Sequence, residues 1–257
     1  NGAWLTWPGG MQPVATAMEQ ASGVKRHAGT VVSVQTTDQG VEALCLELVD
    51  GQPRTYLVKA RKAICAMPLY VAARVVPDIA SYGFDAKRDT PAYAPWMVAN
   101  FLLKRFPDEL PHAPLCWDNV VYQEPGLGYV VSTHQDIRVR PPEKTVFSAY
   151  VALSDRTPQQ ARKWLDTASP EELLALASVD LKTAYGRDFA SCVERVDITV
   201  RGHAMAAPLP GFRSNAGLKA LREHDGAILF AHADLSGFSV FEEAAWWGDR
   251  AARLAAK

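Results

Sequence analysis

The chain has 257 residues, with 27 Lys and Arg against 28 Asp and Glu, which gives a formal net charge of −1. Proteins that neutralise nucleic-acid phosphates normally carry a basic excess or a basic stripe. The densest basic segment here, residues 59–62, is short, so the sequence predicts no nucleic-acid partner. Apolar residues make up 48% and charged residues 21%, which is typical of a globular protein with a sizeable core.

The cysteines and the hydropathy pattern bear on location. Four cysteines are scattered without the close spacing of a zinc site or a disulfide framework: Cys45, Cys65, Cys116 and Cys192. This usage favours a reducing compartment, and we expect a cytoplasmic location unless an upstream export signal exists. No apolar run approaches the about 20 residues of a membrane span, so none is expected. Because the sequence opens with Asn1-Gly2, we do not expect residue 1 to begin the natural product.

The first third of the chain changes its pattern from helix to strand. A helical pattern over residues 11–21 follows Gly9-Gly10 and ends at Gly23. Three strand-like runs follow, with Asp and Gly between them, and predict an antiparallel meander: 30–36, 44–49 and 55–60. In the second run Leu44, Leu46 and Leu48 alternate with other residues, so we expect their face to be buried. The apolar run 63–67 before Pro68 predicts a strand covered on both faces, as in a parallel sheet.

The middle of the chain, from about residue 78 to 225, predicts a second sheet. Candidate strands are separated mostly by Pro, Gly and Asp turns: 98–103, 119–122, 128–133, 145–153 and 194–200. Two helices have capping-box starts, one at Thr157 with Gln160 and one at Ser169 with Glu172. We expect the second helix to run to Gly186.

The last segment predicts a strand, a polar loop and a helix. Residues 226–231 are apolar, residues 234–237 form a glycine-containing loop, and Ser239 with Glu242 predicts a third capping box on a helix to about Ala255. A helix start after such a loop can present backbone N–H groups and a positive dipole end to an electron-rich ligand.

Three separated segments together resemble the FAD-dependent amine oxidase and phytoene-desaturase-like flavoproteins. The first is Leu-Thr-Trp-Pro-Gly-Gly at residues 5–10 with Gly-Thr-Val-Val-Ser-Val at 29–34. The second is Lys-Ala-Ile-Cys-Ala-Met-Pro at 62–68. The third is Ile-Leu-Phe-Ala-His-Ala-Asp at 228–234, followed by Ser-Val-Phe-Glu-Glu-Ala at 239–244 and Gly-Asp-Arg-Ala-Ala at 248–252. Their order and separations agree with the family as well as their letters do.

The resemblance implies a mixed architecture, α/β combined with α+β. Rossmann-like flavin-domain segments, residues 1–75 and 226–257, would flank a substrate-binding domain built on an antiparallel sheet, residues 76–225. It also implies roles toward FAD. Asp234 would bind the ribityl or phosphate portion, with His232 beside it, and the helix start at Val240, Phe241 and Glu242 would face the pyrimidine end of the flavin. The adenine would lie beside Val31 and Val32, and the dinucleotide beside Ala66 and Pro68.

The sequence departs from the family pattern in three places. Ala233-Asp234 stands where the family has Gly-Glu, and Glu243 stands where it has a small Gly. The family's N-terminal strand with its GxGxxG turn, which holds the pyrophosphate, is absent. We therefore expect the C-terminal half of a longer flavoprotein, or one half of a split one, whose partner is the missing N-terminal half. Alone, the chain is not expected to retain FAD tightly.

Two functions remain open from the sequence. In the first, a small-molecule substrate, an amine, amino acid or polyene, passes a hydride to flavin N5. His203 is then a candidate catalytic residue for proton transfer, although a turn histidine bonded to backbone fits its setting as well. In the second, the chain is a non-catalytic binding or assembly module that keeps the flavoprotein shape and complements a partner chain. A GxGxxG motif upstream in the gene would favour the enzyme.

Overall fold

The computed structural model describes residues 10–108, 111, 115–135, 139–140 and 142–257. These residues divide into two compact units. One holds residues 10–25 with Ala94–Ala204, and the other holds Arg26–Tyr93 with Met205–Lys257. Residues 5–9, which belong to the first segment of the flavoprotein resemblance, lie outside the described residues.

The unit that contains Arg26–Tyr93 begins with the antiparallel meander predicted from the sequence. Its strands are β1 (Thr30–Thr37), β2 (Gly40–Val49) and β3 (Gln52–Ala60), paired in the order β1-β2-β3. The turn from β2 to β3 has two central residues, Asp50 and Gly51, with φ of 52° and 76°. Positive φ at both positions is what a type I′ hairpin turn requires, which explains the Asp-Gly pair.

The apolar run after the meander forms one strand of a parallel pair, as predicted, but the predicted cover on both faces is wrong, because Ile64 is 40% exposed. β4 (Ala63–Cys65) pairs in parallel with β10 (Ile228–Phe230). The helices of this unit are α2 (Leu69–Val75), α3 (Ala86–Asp89), α7 (Ala216–Glu223) and α8 (Phe241–Ala255). Side chains of β10 pack in one apolar core with Leu218 of α7 and Trp247 of α8.

The predicted burial of the leucine face of β2 is wrong. Leu48 is 73% exposed, whereas Val41 and Cys45 on the opposite face are 3% and 6% exposed. Both faces of the strand are apolar, so alternation identifies the faces without choosing between them. The choice comes from the core, because Val41 packs with Val34 of β1 in the cluster that also holds α2.

The other unit contains α1 (Gln12–Ser22) and most of a five-stranded sheet. The strands, in spatial order, are β6 (Asp118–Asn119), β7 (Tyr129–Val131), β8 (Thr145–Ala152), β5 (Ala92–Leu103) and β9 (Val193–Ala207). Pairs β6–β7, β7–β8 and β8–β5 are antiparallel, as predicted. Buried and half-buried residues alternate along β5 and β8, so one face of the sheet forms the core of this unit.

Three helices supply the rest of that core: α4 (Pro158–Thr167), α5 (Pro170–Ala177) and α6 (Val179–Cys192). The capping boxes of α4 at Thr157 and of α5 at Ser169 are both confirmed. The second predicted helix is interrupted at Ser178, and Gly186 lies inside α6 as a kink with φ of 60°. In the described ranges no helix is long and apolar enough to cross a membrane.

The division between the compact units falls at residues 93/94 and 204/205. From the sequence, the domain boundaries were expected near residues 75 and 225. Residues just after 75, among them Val76, Ile79 and Phe84, are buried in the same apolar core as β10, which draws them into that unit. Which segments bind flavin and which bind substrate stays a prediction.

Candidate functional site

The candidate site lies where the parallel strands β4 and β10 end. After β4 the chain passes through Ala66 and Pro68 into α2, and after β10 it passes through His232 into a short 3-10 turn, Ala233–Leu235. Carboxyl ends of parallel strands meet at one edge of a sheet, which is where α/β proteins commonly bind ligands. Asp234 stands in this turn and is 2% exposed.

The carboxylate of Asp234 is held by two distant parts of the chain. Its Oδ2 accepts hydrogen bonds from the backbone N–H of Leu69 at 2.9 Å and from the phenol of Tyr93 at 2.5 Å. Leu69 is the first residue of α2, and its N-cap Pro68 supplies no side-chain cap. Asp234 therefore caps α2 from across the parallel pair.

His232 faces the other carboxylate oxygen. Its Nδ1 lies 3.1 Å from the backbone nitrogen of Asp234 and 3.2 Å from Asp234 Oδ1. One nitrogen cannot accept and donate at once, so the two contacts belong to different proton positions. With the proton on Nε2 the ring accepts from the backbone, and with a proton on Nδ1 it donates to the carboxylate.

These donors decide the charge of the cluster. Burial alone would raise the pKa of Asp234, but hydrogen bonds from His232, Tyr93 and Leu69 outweigh it and hold that pKa below its usual range. Burial and the neighbouring carboxylate raise the pKa of Tyr93, which keeps the phenol a donor. Asp234 is therefore a buried anion engaged by protein donors, and its negative charge suits a ligand hydroxyl better than a phosphate.

The third predicted capping box is wrong. The N-cap of α8 is Val240, and no side chain caps the helix. Ser239 thus lies before the cap and Glu242 is the second helical residue. The backbone N–H of Val240 already donates to the carbonyl oxygen of Phe238 at 2.8 Å. With Val240 as the N-cap, the glutamate of a capping box would be Glu243, and the N–H that it would accept from is already engaged.

Glu243, rather than Glu242, makes the side-chain hydrogen bond near the start of α8. Its Oε2 accepts a hydrogen bond from the Ser236 hydroxyl at 2.6 Å, and Trp247 Nε1 donates to the same hydroxyl oxygen at 3.1 Å. Ser236 lies two residues after Asp234. The carboxylate at the position where the family has a small residue therefore fixes the Asp234 turn to α8.

The start of α8 can receive an electron-rich group. The first N–H groups of a helix have no intrahelical acceptor, and here no side chain caps them. Val240 and Phe241 are 36% and 44% exposed. Glu242 and Glu243 in the first turn oppose a full negative charge. This donor set fits a neutral carbonyl edge, such as the pyrimidine end of an oxidised flavin, better than it fits a phosphate.

The other predicted cofactor residues lie in the same unit. Val31 and Val32 stand at an irregularity of β1 and are 37% and 46% exposed. Ala66 is exposed and Pro68 half-buried. The structure joins the Pro68 segment to Asp234 through Leu69, and the roles of these residues toward a cofactor stay predictions. Sequence reasoning missed Tyr93, which stands 141 residues before Asp234 and carries no motif.

His203 lies elsewhere. It is an exposed residue within β9, in the unit that holds Ala94–Ala204. The sequence predicts a strand that ends before His203, but β9 continues to Ala207 and the proline-rich turn comes after it. The carbonyl oxygen of neighbouring Gly202 accepts a hydrogen bond from Arg162 at 3.1 Å. A catalytic role for His203 stays a prediction.

The described residues form a mixed α/β fold with antiparallel sheets and one parallel strand pair. A family model described as flavin-containing amine oxidoreductase matches residues 1–256. The chain belongs to this family. A search of curated proteins gave no match.

Solved structures share the fold at low sequence identity. A reduced UDP-galactopyranose mutase has a TM-score of 0.61 at 13% identity, covering 92% of this chain and 49% of the mutase. An oxidoreductase from Methanosarcina mazei has a TM-score of 0.55 at 13% identity, with 94% and 54% covered. A CLA-producing fatty acid isomerase from P. acnes has a TM-score of 0.53 at 13% identity, with 95% and 56% covered. The chain thus spans about half the length of each neighbour, and at this identity the likeness concerns the fold alone.

Proposed function

We propose that this chain is the C-terminal portion of an FAD-dependent oxidoreductase. The observation that carries the proposal is the Asp234 cluster: a buried anion that caps α2 and is fixed by Ser236 and Glu243 to the uncapped start of α8. The cluster holds the starts of α2 and α8 in fixed positions relative to one carboxylate. Such a fixed arrangement of helix starts suits the binding of a flavin dinucleotide, the cofactor class of the family.

Each residue has a proposed part in holding FAD. The helix start at Val240 would face the pyrimidine edge, with the backbone N–H groups of Phe241 and Glu242 as its donors, and Asp234, backed by His232, would accept from a ribityl hydroxyl. The adenine and dinucleotide contacts would come from Val31, Val32, Ala66 and Pro68. Bound flavin would supply a hydride acceptor for an amine, amino acid or polyene substrate. His203 would take up a proton from the substrate.

We also propose that a nucleotide-binding half, from upstream residues or a partner chain, covers part of the Arg26–Tyr93 segment. Several large apolar side chains there are exposed: Val31, Val32, Leu48, Leu57, Val58 and Ile64. Exposed apolar groups in such number are characteristic of surfaces that bind another protein element. Supplying that half should bury these side chains and slow hydrogen exchange at the backbone amides of the same residues.

The free cysteines support a reducing compartment, and we propose the cytoplasm. Cys45, Cys65 and Cys192 are buried as free thiols, and Cys116 is exposed. An exposed free thiol is rare in oxidising compartments. Fractionation of cells that express the natural gene tests this, and recovery from an oxidising compartment would contradict it.

The visible absorption spectrum of the full-length natural gene product tests the oxidoreductase proposal. We expect a flavin spectrum that persists through desalting, and extraction with mass analysis should identify FAD. Asp234→Asn should reduce the flavin content, because an amide cannot accept from the same donors on both sides. Asp249→Asn is the matched control, since Asp249 on α8 is 62% exposed and forms a surface pair with Arg253.

A folded product that stays colourless after incubation with FAD would overturn the proposal. The non-catalytic partner module would then be the better account. Equal flavin content in the Asp234→Asn and Asp249→Asn variants would leave the cofactor in place but remove Asp234 from its site.

A further inference from the structure

The Arg26–Tyr93 and Met205–Lys257 unit contains an open cavity of about 470 Å³ that none of the predicted site residues lines. One wall comes from the segment after α3 and the other from the segment between β9 and α7. Apolar side chains make most of the lining, among them Pro91, Leu209, Pro210 and Phe212. A mostly apolar cavity of several hundred Å³ with few polar groups is typical of small-molecule sites.

Arg88 and Asp89 are the charged groups of this cavity. Arg88 donates to Asp89 through Nε at 2.9 Å and through Nη2 at 2.8 Å. Its side chain is 66% exposed while that of Asp89 is 3% exposed. Among the described residues, Nη1 of Arg88 has no hydrogen-bond partner. The N–H groups on Nη1 can therefore donate to a ligand on the solvent side of the guanidinium.

The charge of Asp89 is stabilised from a second direction. Its Oδ2 also accepts the backbone N–H of Asp85 at 2.8 Å. Gly217, in the first turn of α7, packs so close that a Cβ there would lie 2.2 Å from Oδ2. A carboxylate against a helix start is favourably placed. Asp89 is therefore stabilised by backbone groups as well as by Arg88, which stays charged beside Asp89 and Asp85.

The cavity is joined to the Asp234 turn. The ring of Phe212 packs over Gly237, where a Cβ would lie 2.7 Å from the ring. Gly237 is three residues after Asp234, and its N–H donates to the Asp234 carbonyl oxygen at 3.2 Å. A molecule seated against Phe212 is therefore separated from that turn by one side chain.

We propose that this cavity binds a small monocarboxylate with an apolar body, its carboxylate on Arg88 and its body against Leu209, Pro210 and Phe212. A planar guanidinium and a carboxylate form charge-assisted hydrogen bonds, and the apolar walls remove the rest of the molecule from water. The binding itself does not require flavin. The cavity's use as the substrate site rests on the proposed function, and it would favour acids, amino acids included, over simple amines and polyenes.

The test uses the natural gene product and two probes of equal shape, hexanoate and its neutral isostere hexanamide, in titration calorimetry. We expect saturable binding of hexanoate, about tenfold weaker binding of hexanamide, and weakening by added salt. Hydrogen exchange should slow in residues 88–92 and 207–212 on addition of hexanoate.

Two variants distinguish hexanoate binding in the cavity from binding elsewhere on the chain. Leu209→Glu places a like charge in the apolar wall and should weaken hexanoate binding about tenfold or more. Leu174→Glu is the matched control, because Leu174 on α5 is also a partly exposed leucine, at 41%, and does not line the cavity. Arg88→Lys should also weaken binding, because lysine lacks the planar fork.

Equal binding of the two probes, unchanged binding in Leu209→Glu, or no binding to the folded protein would overturn the proposal. The visible spectrum of the same samples reports flavin separately. A colourless protein that binds hexanoate contradicts the oxidoreductase and keeps the cavity, while a yellow protein that does not bind it does the reverse.

Discussion

A buried carboxylate needs several donors, and Asp234 obtains them from side chains and backbone far apart in sequence. The sequence identified Asp234 and His232, because the end of an apolar strand and a family motif mark them. It did not identify Tyr93 or Leu69, whose hydrogen bonds with Asp234 depend on how β4, α2 and β5 are arranged. Contacts of this kind leave no local pattern, since neither residue differs from an ordinary apolar core position.

Tyr93→Phe tests the hydrogen bond to Asp234. A hydrogen bond to a charged group contributes about 1.5–3 kcal/mol, so the free energy of unfolding should fall by that order at neutral pH. The folded-state pKa of Asp234 lies below its unfolded value of 3.8, so its contribution is present above that value. It is lost as pH falls through the lower folded-state pKa.

Urea unfolding of the wild type and the variant at several pH values measures this effect. The difference between them should narrow below about pH 4 as Asp234 is protonated. Tyr122→Phe is the control, because Tyr122 is 87% exposed. An equal loss in both variants, or a loss independent of pH, would contradict the assignment.

Thiol reactivity reports burial one cysteine at a time. Cys116 is the exposed cysteine of the four, and burial raises the pKa of the Cys65 thiol to about 11. Since the thiolate is the reactive form, iodoacetamide at pH 8 should modify Cys116 rapidly and Cys65 only after unfolding. Peptide mass analysis distinguishes the sites, and rapid labelling of Cys65 in the folded chain would be inconsistent with the structure.

At the scale of elements, the same sequence spacing had two outcomes. Thr157 with Gln160 and Ser169 with Glu172 form capping boxes, whereas Ser239 with Glu242 does not. The spacing is identical in all three, so the difference lies in tertiary contacts. Near α8, Glu243 bonds to Ser236, and the backbone of Val240 bonds to Phe238. These contacts begin the helix one residue later than the pattern predicts.

Alanine substitutions distinguish the two capping boxes that form, at Thr157 and Ser169, from the predicted one at Ser239 that does not. Thr157→Ala and Ser169→Ala should each lower the free energy of unfolding by about 1 kcal/mol, because each leaves a helix N–H without its acceptor. Ser239→Ala should leave stability unchanged within about 0.5 kcal/mol. Urea unfolding of the three variants is the measurement. A loss at Ser239 equal to the others would restore the predicted capping box.

At the scale of the whole molecule, the types of the elements could be predicted from the sequence, but the boundaries between the two units could not. The meander, the parallel pair and the second sheet were predicted from apolar periodicity and turn residues. The unit boundaries were not, because β5 and β9 both extend across them without a change in composition. Cores that gather residues from distant segments leave no local signal at their edges.

The two units hold buried carboxylates of opposite character. Asp180 at the start of α6 is 3% exposed and accepts from the backbone N–H of Gly128 at 3.1 Å. Burial raises its pKa, and the hydrogen bonds from Gly128 and Gly126 offset this only in part. Its charged form therefore lowers stability at neutral pH. That cost begins to fall as pH drops through the raised folded-state pKa and is gone below the unfolded value of 3.8.

Asp180→Asn should consequently raise the midpoint of urea unfolding at pH 7, because the amide oxygen still accepts from Gly128 without the cost of a buried charge. The gain should shrink toward pH 4. Asp166→Asn, at an exposed position of α4, is the control and should show neither effect. A lower midpoint for Asp180→Asn at pH 7 would mean that the charge itself holds the Gly126–Gly128 loop.

The parallel pairing of β4 with β10 also imposes a delay on folding during synthesis, because β4 is made long before β10. The paired residues, such as Ala63 and Ile228, are about 165 positions apart. At about 5–20 residues per second, a ribosome needs roughly 8–33 seconds to make the partner of a strand already outside the exit tunnel. Throughout that interval the β4 edge and the apolar core around α2 are uncovered, so slower translation or a shortage of chaperones should reduce the yield of folded chain.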